Sequence, residues 1–362
     1  MHIRIDCIVG ARPNFIKMAA IMDEVKRWPR FKARLIHTGQ HYSADMSDTF
    51  FEQLQLPKPD VHLGISAGTP TAQTADMLKA LETVFTGERP DLVLVVGDVT
   101  STVSAALVAV RHSIPVAHVE AGLRSGDRGM PEEINRLVTD VLSDFLFASE
   151  RTGVENLRRE GVPDEKVFLV GNVMIDTLLR FRHKAAESRA LEQLGVQPRE
   201  YTVATLHRPS NVDDPEQLRR LLNILGAIGS RAPVVFPVHP RTQARMQSAG
   251  IGALEGVIVT PPMTYLDFLH VISNAKLVLT DSGGIQEETT ILQVPCLTLR
   301  ENTERPVTIT NGSNRLAGTD PDAILSAANE VLDNAGASFD TPEFWDGKAA
   351  SRIFQVLDRH FT

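Results

Sequence analysis

The chain has 362 residues, 43% of them hydrophobic, with 37 Lys and Arg against 45 Asp and Glu and a formal net charge of -8. That length and apolar content suit two globular domains and exclude a disordered or fibrous protein. The acidic balance without any basic block argues against nucleic acid or an anionic membrane surface and leaves a small molecule as the expected partner. Cys7 and Cys296 each lie in an apolar run, so they are expected as core residues in a reducing compartment, not as a disulfide or a metal site. The N-terminal MHIRIDCIVG is too short and too charged for a signal peptide, and no apolar run approaches the ~20 residues that span a bilayer. The expected location is the cytoplasm, without a membrane partner.

In chain order, Ile3 to Val9 reads as the first strand and ends in GARPN. Phe15, Met18, Ile21, Met22 and Val25 then recur at helical spacing and make one buried stripe. The rhythm returns at Arg34 to His37, at Leu92 to Val96 before GDVTST, and at Val116 to Val119 before EAGLRSGD. Short β-rich runs alternating with helical patterns imply parallel βαβ units. The second half repeats the pattern. Thr202 to Leu206 leads into HRPSN, Val234 to Val238 into HPRT, Leu277 to Thr280 into DSGG, and Cys296 to Leu299 into RENTERP. Two α/β domains are predicted, residues 1–178 and 179–345, joined through the polar stretch around Arg180 to Glu200. A final helix within 346–362 is expected to pack back on the first domain. Ligands of open parallel sheets sit beyond the carboxyl ends of the strands, so two such domains facing across a cleft would bring both sets of loops onto one ligand.

Those loops carry the polar chemistry. In TDSGGIQEE, residues 280–288, Gly283 and Gly284 let backbone approach an anion, and Ser282 can cap the helix or donate to a phosphate oxygen. Glu287 and Glu288 either favour a helix N-terminus or, one turn on, accept hydrogen bonds from a ribose diol. A nucleoside diphosphate satisfies both halves of the motif. Basic residues gather at the other strand ends: Arg12 and Lys17, His207 and Arg208, His239 and Arg241, Arg300 and Arg305. Each alone reads equally as solvated surface; their shared placement is the signal. The carboxylates Asp98, Glu120, Glu132 and Glu133 form a second group, suited to general acid and base work on carbon. Asp98 can equally cap the helix near Thr100, and Glu132 after Pro131 can be an ordinary helix start. His112 and His118 flank a strand and read as structural. His37 and His41 straddle a turn instead of sharing a helix face, so no zinc pair is expected.

GARPNFIKMA, TGQHY, GDVTST, HVEAGLRSGD, PEEINR, TLHRPSNVDD, FPVHPRT, TDSGGIQEE and RENTERPVT, in that order over residues 8–315, resemble the motif series of the non-hydrolysing UDP-N-acetylglucosamine 2-epimerases. The resemblance implies a GT-B fold, two Rossmann-like domains with the sugar nucleotide in the cleft between them, and a homodimer. It implies removal of the C2 proton and loss of UDP from C1 to give a bound 2-acetamidoglucal, then re-addition on the other face of C2, with no cofactor. Carried over by motif, Asp98, Glu120 and Glu132 are acid/base candidates, and His207 with Arg12 stabilises the leaving diphosphate. Ser282, Gly283 and Gly284 hold phosphate, Glu288 takes the ribose hydroxyls, and Lys17, His239 and Arg305 are further UDP-sugar contacts. The product would enter cell-surface polysaccharide biosynthesis.

The chain also departs from the pattern. HRPSN replaces the frequent HRREN, and Ser43 stands where regulated members carry Gln or Glu, positions that help bind an activating second substrate. Hyperbolic kinetics are therefore expected. HPRT in place of His-x-Asn-Pro leaves room for an oxidised or diacetamido sugar nucleotide. The competing readings are a hydrolysing 2-epimerase, a GT-B glycosyltransferase, and a binding module that would have lost one of its three acids. A nicotinamide dehydrogenase is disfavoured, since no G-x-G-x-x-G follows a predicted strand.

Overall fold

The computed structural model describes residues 2–39, 50–65, 68–334 and 338–362, and its chain divides into two compact units, Met1–Arg180 with Glu343–Thr362, and Phe181–Pro342. The first unit holds seven strands: β1 (Ile3–Val9), β2 (Phe31–His37), β3 (Val61–His62), β4 (Leu92–Val96), β5 (Val116–Val119), β6 (Phe145–Ala148) and β7 (Val167–Leu169). All pair in parallel, in the order β3-β2-β1-β4-β5-β6-β7. The order reverses between β1 and β4, which is where such a sheet opens a crevice. LVLVV of β4 is buried at every position, as a central strand requires when helices cover both faces. Ile8 pairs with Val95 and Val96 with Val119, so β1, β4 and β5 end level and release their loops at one edge.

Helices follow from the sequence periodicity. The helix Arg12–Glu24 buries Phe15, Met18, Ile21 and Met22, the stripe that the spacing predicts. The helices Pro70–Gly87 and Thr100–Arg111 supply Met77, Leu81, Phe85, Ala105 and Ala109 to a cluster with Ile8, Val93 and Val95. The helix Ala349–His360 belongs to this unit: Phe354 stacks on Trp28 at 6.3 Å and meets Phe31 edge-on at 5.6 Å between ring centroids. Its first amides, Ala349 and Ala350, donate to the Asp176 carboxylate at 3.1 and 2.8 Å.

The second unit holds β8 (Thr202–Thr205), β9 (Val234–Pro237), β10 (Val257–Thr260), β11 (Leu277–Thr280), β12 (Cys296–Thr298) and β13 (Asn314–Leu316), all parallel in the order β10-β9-β8-β11-β12-β13. Here the order reverses between β8 and β11. The helix Pro215–Gly229 starts at Asp214, whose side chain accepts the Glu216 amide at 3.1 Å, and buries Leu218, Leu221, Leu222, Leu225 and Ile228 along one face. That face joins Val234, Phe236, Leu277, Leu279 and Ile324 in the second core. The stretch read as a linker around Arg180 to Glu200 is largely helical, in Val173–Ala185 and Ala190–Leu194. Its exposed charges mask an apolar side that buries Phe181, Ala185, Leu191 and Val196. Both cysteines are buried and unbridged. Among the described residues no helix is long and apolar enough to cross a membrane.

Candidate active site

In the first unit the site assembles where β1, β4 and β5 end. Lys17, one turn into the helix Arg12–Glu24, is buried and its Nζ donates to Glu120 Oε2, itself buried at the end of β5. Glu120 has φ of +71°, the left-handed region, which costs a non-glycine residue about 1–3 kcal/mol. The surroundings hold it there: the amides of Glu120 and Ala121 both donate to the Phe147 carbonyl, at 3.0 and 3.1 Å. Strain kept by its neighbours at a strand end, on an acid paired with a buried lysine, is the pattern of a reactive position. Gly97 sits beside them with φ of +67°, where an added Cβ would stand 3.0 Å from Lys17 Nζ.

Asp98, partly buried, takes the Arg136 guanidinium, with Nε and Nη2 both 2.9 Å from Oδ2, and its carbonyl accepts Asn135 Nδ2 at 2.8 Å. The same buried Arg136 reaches Glu133 Oε2. Glu133 in turn accepts the Ser125 amide at 2.9 Å, the Ser125 hydroxyl at 3.0 Å and the Gly126 amide at 3.0 Å. Arg136 thus ties one carboxylate, Asp98, to another that anchors the GLRSGD loop. The helix Thr100–Arg111 is capped at Val99, so the Asp98 side chain serves Arg136 and not the cap position. Glu132 stands exposed in the first turn of the helix Pro131–Leu142, behind Pro131.

In the second unit His207 follows β8 and Asp281 follows β11. His207 Nδ1 lies 2.7 Å from Asp281 Oδ1, and the fully buried Asp281 also accepts the His207 amide at 3.0 Å, the Arg208 amide at 2.9 Å and Asn211 Nδ2 at 3.0 Å. Burial works to raise the Asp281 carboxyl, and His207 with these donors outweighs it and holds it below its ordinary range. An anionic Asp281 fixes the Nδ1–H tautomer and aims Nε2 of the exposed His207 away from the protein.

Ser282 caps the helix Gly283–Leu292 without using its side chain on it, so the hydroxyl is not spent on the helix. Packed against Gly283 is a group of buried charges. Arg305 donates to Glu287 Oε1 at 2.5 Å and Glu304 Oε1 at 2.8 Å, Arg300 pairs with Glu304 at 2.8 Å, and Arg208 approaches it at 3.5 Å. Burial raises the Glu304 carboxyl, but the Arg305, Arg300 and Arg208 guanidiniums outweigh it and hold it well below the carboxylate range. Arg208, Arg300 and Arg305 thus gather on Glu287 and Glu304 beside the N-terminus of this helix, whose amides suit a phosphate. Glu288, buried one turn along, stands beside Tyr265, whose hydroxyl is pushed well above its ordinary value by burial and by that carboxylate. His239 is exposed and accepts the Arg241 amide at 3.2 Å as cap of the helix Pro240–Ser248.

A family model described as UDP-N-acetylglucosamine 2-epimerase matches residues 23–358. The chain belongs to that family. A UDP-N-acetylglucosamine 2-epimerase of Methanococcus maripaludis is 41% identical over 98% of each chain. The crystal structure of the Methanocaldococcus jannaschii UDP-GlcNAc 2-epimerase in complex with UDP-GlcNAc and UDP is 40% identical, with a TM-score of 0.92 over 99% of this chain and 100% of that one. A Pseudomonas aeruginosa UDP-2,3-diacetamido-2,3-dideoxy-D-glucuronate 2-epimerase is also 41% identical, over 97% and 98% of the two chains. The fold is accordingly GT-B, with two Rossmann-like domains.

Within this epimerase fold the candidate residues fall into distinct settings. Lys17 and Glu120 are brought together, Asp98 stands with Arg136, and Glu132 shows solvent exposure with its neighbour Glu133 taking the buried place. Ser282, Gly283 and Arg305 converge, His207 pairs with Asp281, and His239 caps a neighbouring helix. The Arg12 side chain and the loop of Gln40, His41, Tyr42 and Ser43 lie outside the described residues. Sequence reasoning gave no role to Asp281, Arg136, Asn14 or Glu304. Asp281 precedes SGG at a strand end, a signal that could have found it; Asn14, whose Nδ2 donates to the Val96 carbonyl at 2.5 Å, is the last residue of the GARPN motif.

Proposed function

We propose that this epimerase interconverts UDP-N-acetylglucosamine and UDP-N-acetylmannosamine without hydrolysis. A carboxylate of the first unit takes the C2 proton while the C1–O bond breaks and UDP departs with the electron pair, forming the C1–C2 double bond of 2-acetamidoglucal. Return of a proton to the opposite face of C2 and of UDP to C1 gives the epimer. The C2 proton is weakly acidic, so elimination depends on a well-stabilised leaving group. The helix amides at Gly283, the Arg305 guanidinium beside them and the Asp281-oriented His207 supply that stabilisation, and Glu288 fits the ribose hydroxyls. Asp98, Glu120 and Glu132 are the proton-transfer candidates. The observation that carries the reading is Glu120, a buried acid on Lys17 held in a left-handed conformation.

A second reading, a diacetamido uronate as the sugar, is favoured by the equal identity to the Pseudomonas aeruginosa relative. Two copies pairing in the cytoplasm, within cell-surface polysaccharide biosynthesis, complete the proposal. An exposed apolar stripe, Ile134, Val138 and Val141 at i, i+4 and i+7 of one helix, supports the pairing. The test is incubation with UDP-N-acetylglucosamine in deuterated water followed by NMR. Growth of UDP-N-acetylmannosamine carrying deuterium at C2 is expected, and Asp98→Asn is expected to abolish it with UDP binding retained. Free N-acetylmannosamine with UDP would identify hydrolysis. Inert substrate that still binds would redirect the assay to the diacetamido uronate.

A further inference from the structure

His118 lies fully buried in β5, two residues before Glu120. Its Nδ1 is 2.6 Å from Asp140 Oδ1 and its Nε2 is 2.9 Å from the Gly97 carbonyl oxygen. Both partners only accept: one is a carboxylate, the other a backbone carbonyl. A neutral imidazole has one N–H and one lone pair, so it would turn a lone pair on one of these oxygens; only a ring protonated at both nitrogens satisfies the two. The opposite assignment, a protonated Asp140, meets Arg124 Nη2 at 2.6 Å from Oδ2 together with the Gly122 amide at 3.1 Å, donors that favour the anion. Arg124 continues to Glu160 at 2.8 and 2.7 Å, so His118, Asp140, Arg124 and Glu160 alternate in charge.

This chain of charges ends on the two acid-bearing loops. The Gly97 peptide is held from both sides, its carbonyl by His118 and its amide by the Val119 carbonyl at 3.0 Å, and Asp98 springs from it. On the other loop Asp140 grips the Gly122 amide, two residues past the strained Glu120. The geometry points to His118 as a positioning residue for the epimerisation: a buried imidazolium that fixes the peptide carrying Asp98 and, through Asp140, the turn carrying Glu120. The inference rests on the reading that these two acids transfer protons. His118 touches no substrate and acts through them.

Two measurements on the full chain test it. In protein labelled with 15N-histidine, both ring nitrogens of His118 should show protonated-nitrogen shifts under the conditions of the turnover assay, as its two acceptor partners require; one unprotonated nitrogen overturns the inference. The second is a pair of substitutions. His118→Gln places an amide N–H near Nε2 and can keep the Gly97 bond, whereas His118→Asn keeps a donor for Asp140 and loses Gly97. Misplacement of a reacting group by about 1 Å costs about 100-fold in rate. His118→Asn is therefore expected to lose about that factor in kcat with KM and UDP affinity near wild type, and His118→Gln to retain at least about ten times more. Wild-type kcat in His118→Asn, or a fall in kcat matched by an equal loss of UDP affinity, would overturn the positioning role. If neither variant folds, the wild-type spectrum decides. A doubly protonated ring in wild-type protein that exchanges no C2 hydrogen overturns the positioning role together with the proton-transfer reading, and the spectrum separates that result from a mistaken charge state.

Discussion

Asp176 offers a stability prediction whose sign can be worked from the structure. Its carboxylate accepts the opening amides of the C-terminal helix, and burial raises it from 3.8 to about 6, outweighing those amides and Arg352, with Asp346 pushing the same way as burial. A carboxyl raised on folding contributes its stability in full below about pH 4 and loses it as pH rises through about 6. At about 1.4 kcal/mol for each pH unit of displacement, ionisation withdraws about 3 kcal/mol by pH 8. Asp176→Asn removes that titration and keeps one acceptor oxygen while giving up the second, worth about 1 kcal/mol. The variant should be about 2 kcal/mol more stable than the parent at pH 8, with the advantage vanishing near about pH 4.5. Trp28 and Trp345, the only tryptophans, both lie in the first unit, so urea unfolding followed by their fluorescence reads the relevant transition. An Asn variant less stable than the parent at pH 8, or a difference that stays constant from pH 8 to 5, would refute the reasoning.

Two further substitutions probe the halves of the site. In Gly283→Ala the new Cβ would stand 2.5 Å from Arg305 Nη1 and 3.0 Å from Glu304 Oε1, so a buried, doubly paired guanidinium must move. Overpacking of this kind costs about 1–3 kcal/mol, and the expected outcome is a lowered Tm with UDP affinity down at least about tenfold by calorimetry, tenfold being about 1.4 kcal/mol. Parental values for both would show that Arg305 yields freely. Arg136→Lys replaces a fork by a point charge that cannot serve Asp98 and Glu133 together. It should lower kcat about 10- to 100-fold with UDP affinity preserved, and an unchanged kcat would free Asp98 from dependence on that guanidinium.

LVLVV and LVLT were legible because burial on both faces writes a central strand as an unbroken apolar run, yet the equally buried FLFA of β6 was not read as one. The edge strands VH, VFL and NRL were also missed, being only two or three residues long; tertiary pairing makes them strands. The helical stretch after Arg180 hid behind its exposed charges. Motif order singled out the strand-end loops of the candidate site, but side-chain settings inside a motif were harder to read. Glu132 and Glu133 are adjacent on one helix and therefore point about 100° apart, and only packing tells which is buried. His207 and Asp281 are 74 residues apart and Asp98 and Arg136 are 38 apart, so no local pattern joins them.

The division of charge between the units has a chemical logic. Elimination needs a base for a carbon-bound proton and strong stabilisation of a departing diphosphate, and these demands conflict electrostatically, since a carboxylate close to phosphate repels it. The first unit places its acids on cations of their own, Glu120 on Lys17 and Asp98 on Arg136, so their charge is matched locally. The second unit offers a helix N-terminus, with Glu287 and Glu304 beside it neutralised by Arg305, Arg300 and Arg208. On the proposed mechanism each requirement would be met within one folded unit, by a sheet whose strand order reverses at the candidate residues. The proposal therefore requires that substitutions in one unit alter proton transfer while leaving UDP affinity to the other, the contrast on which Arg136→Lys and Gly283→Ala depend.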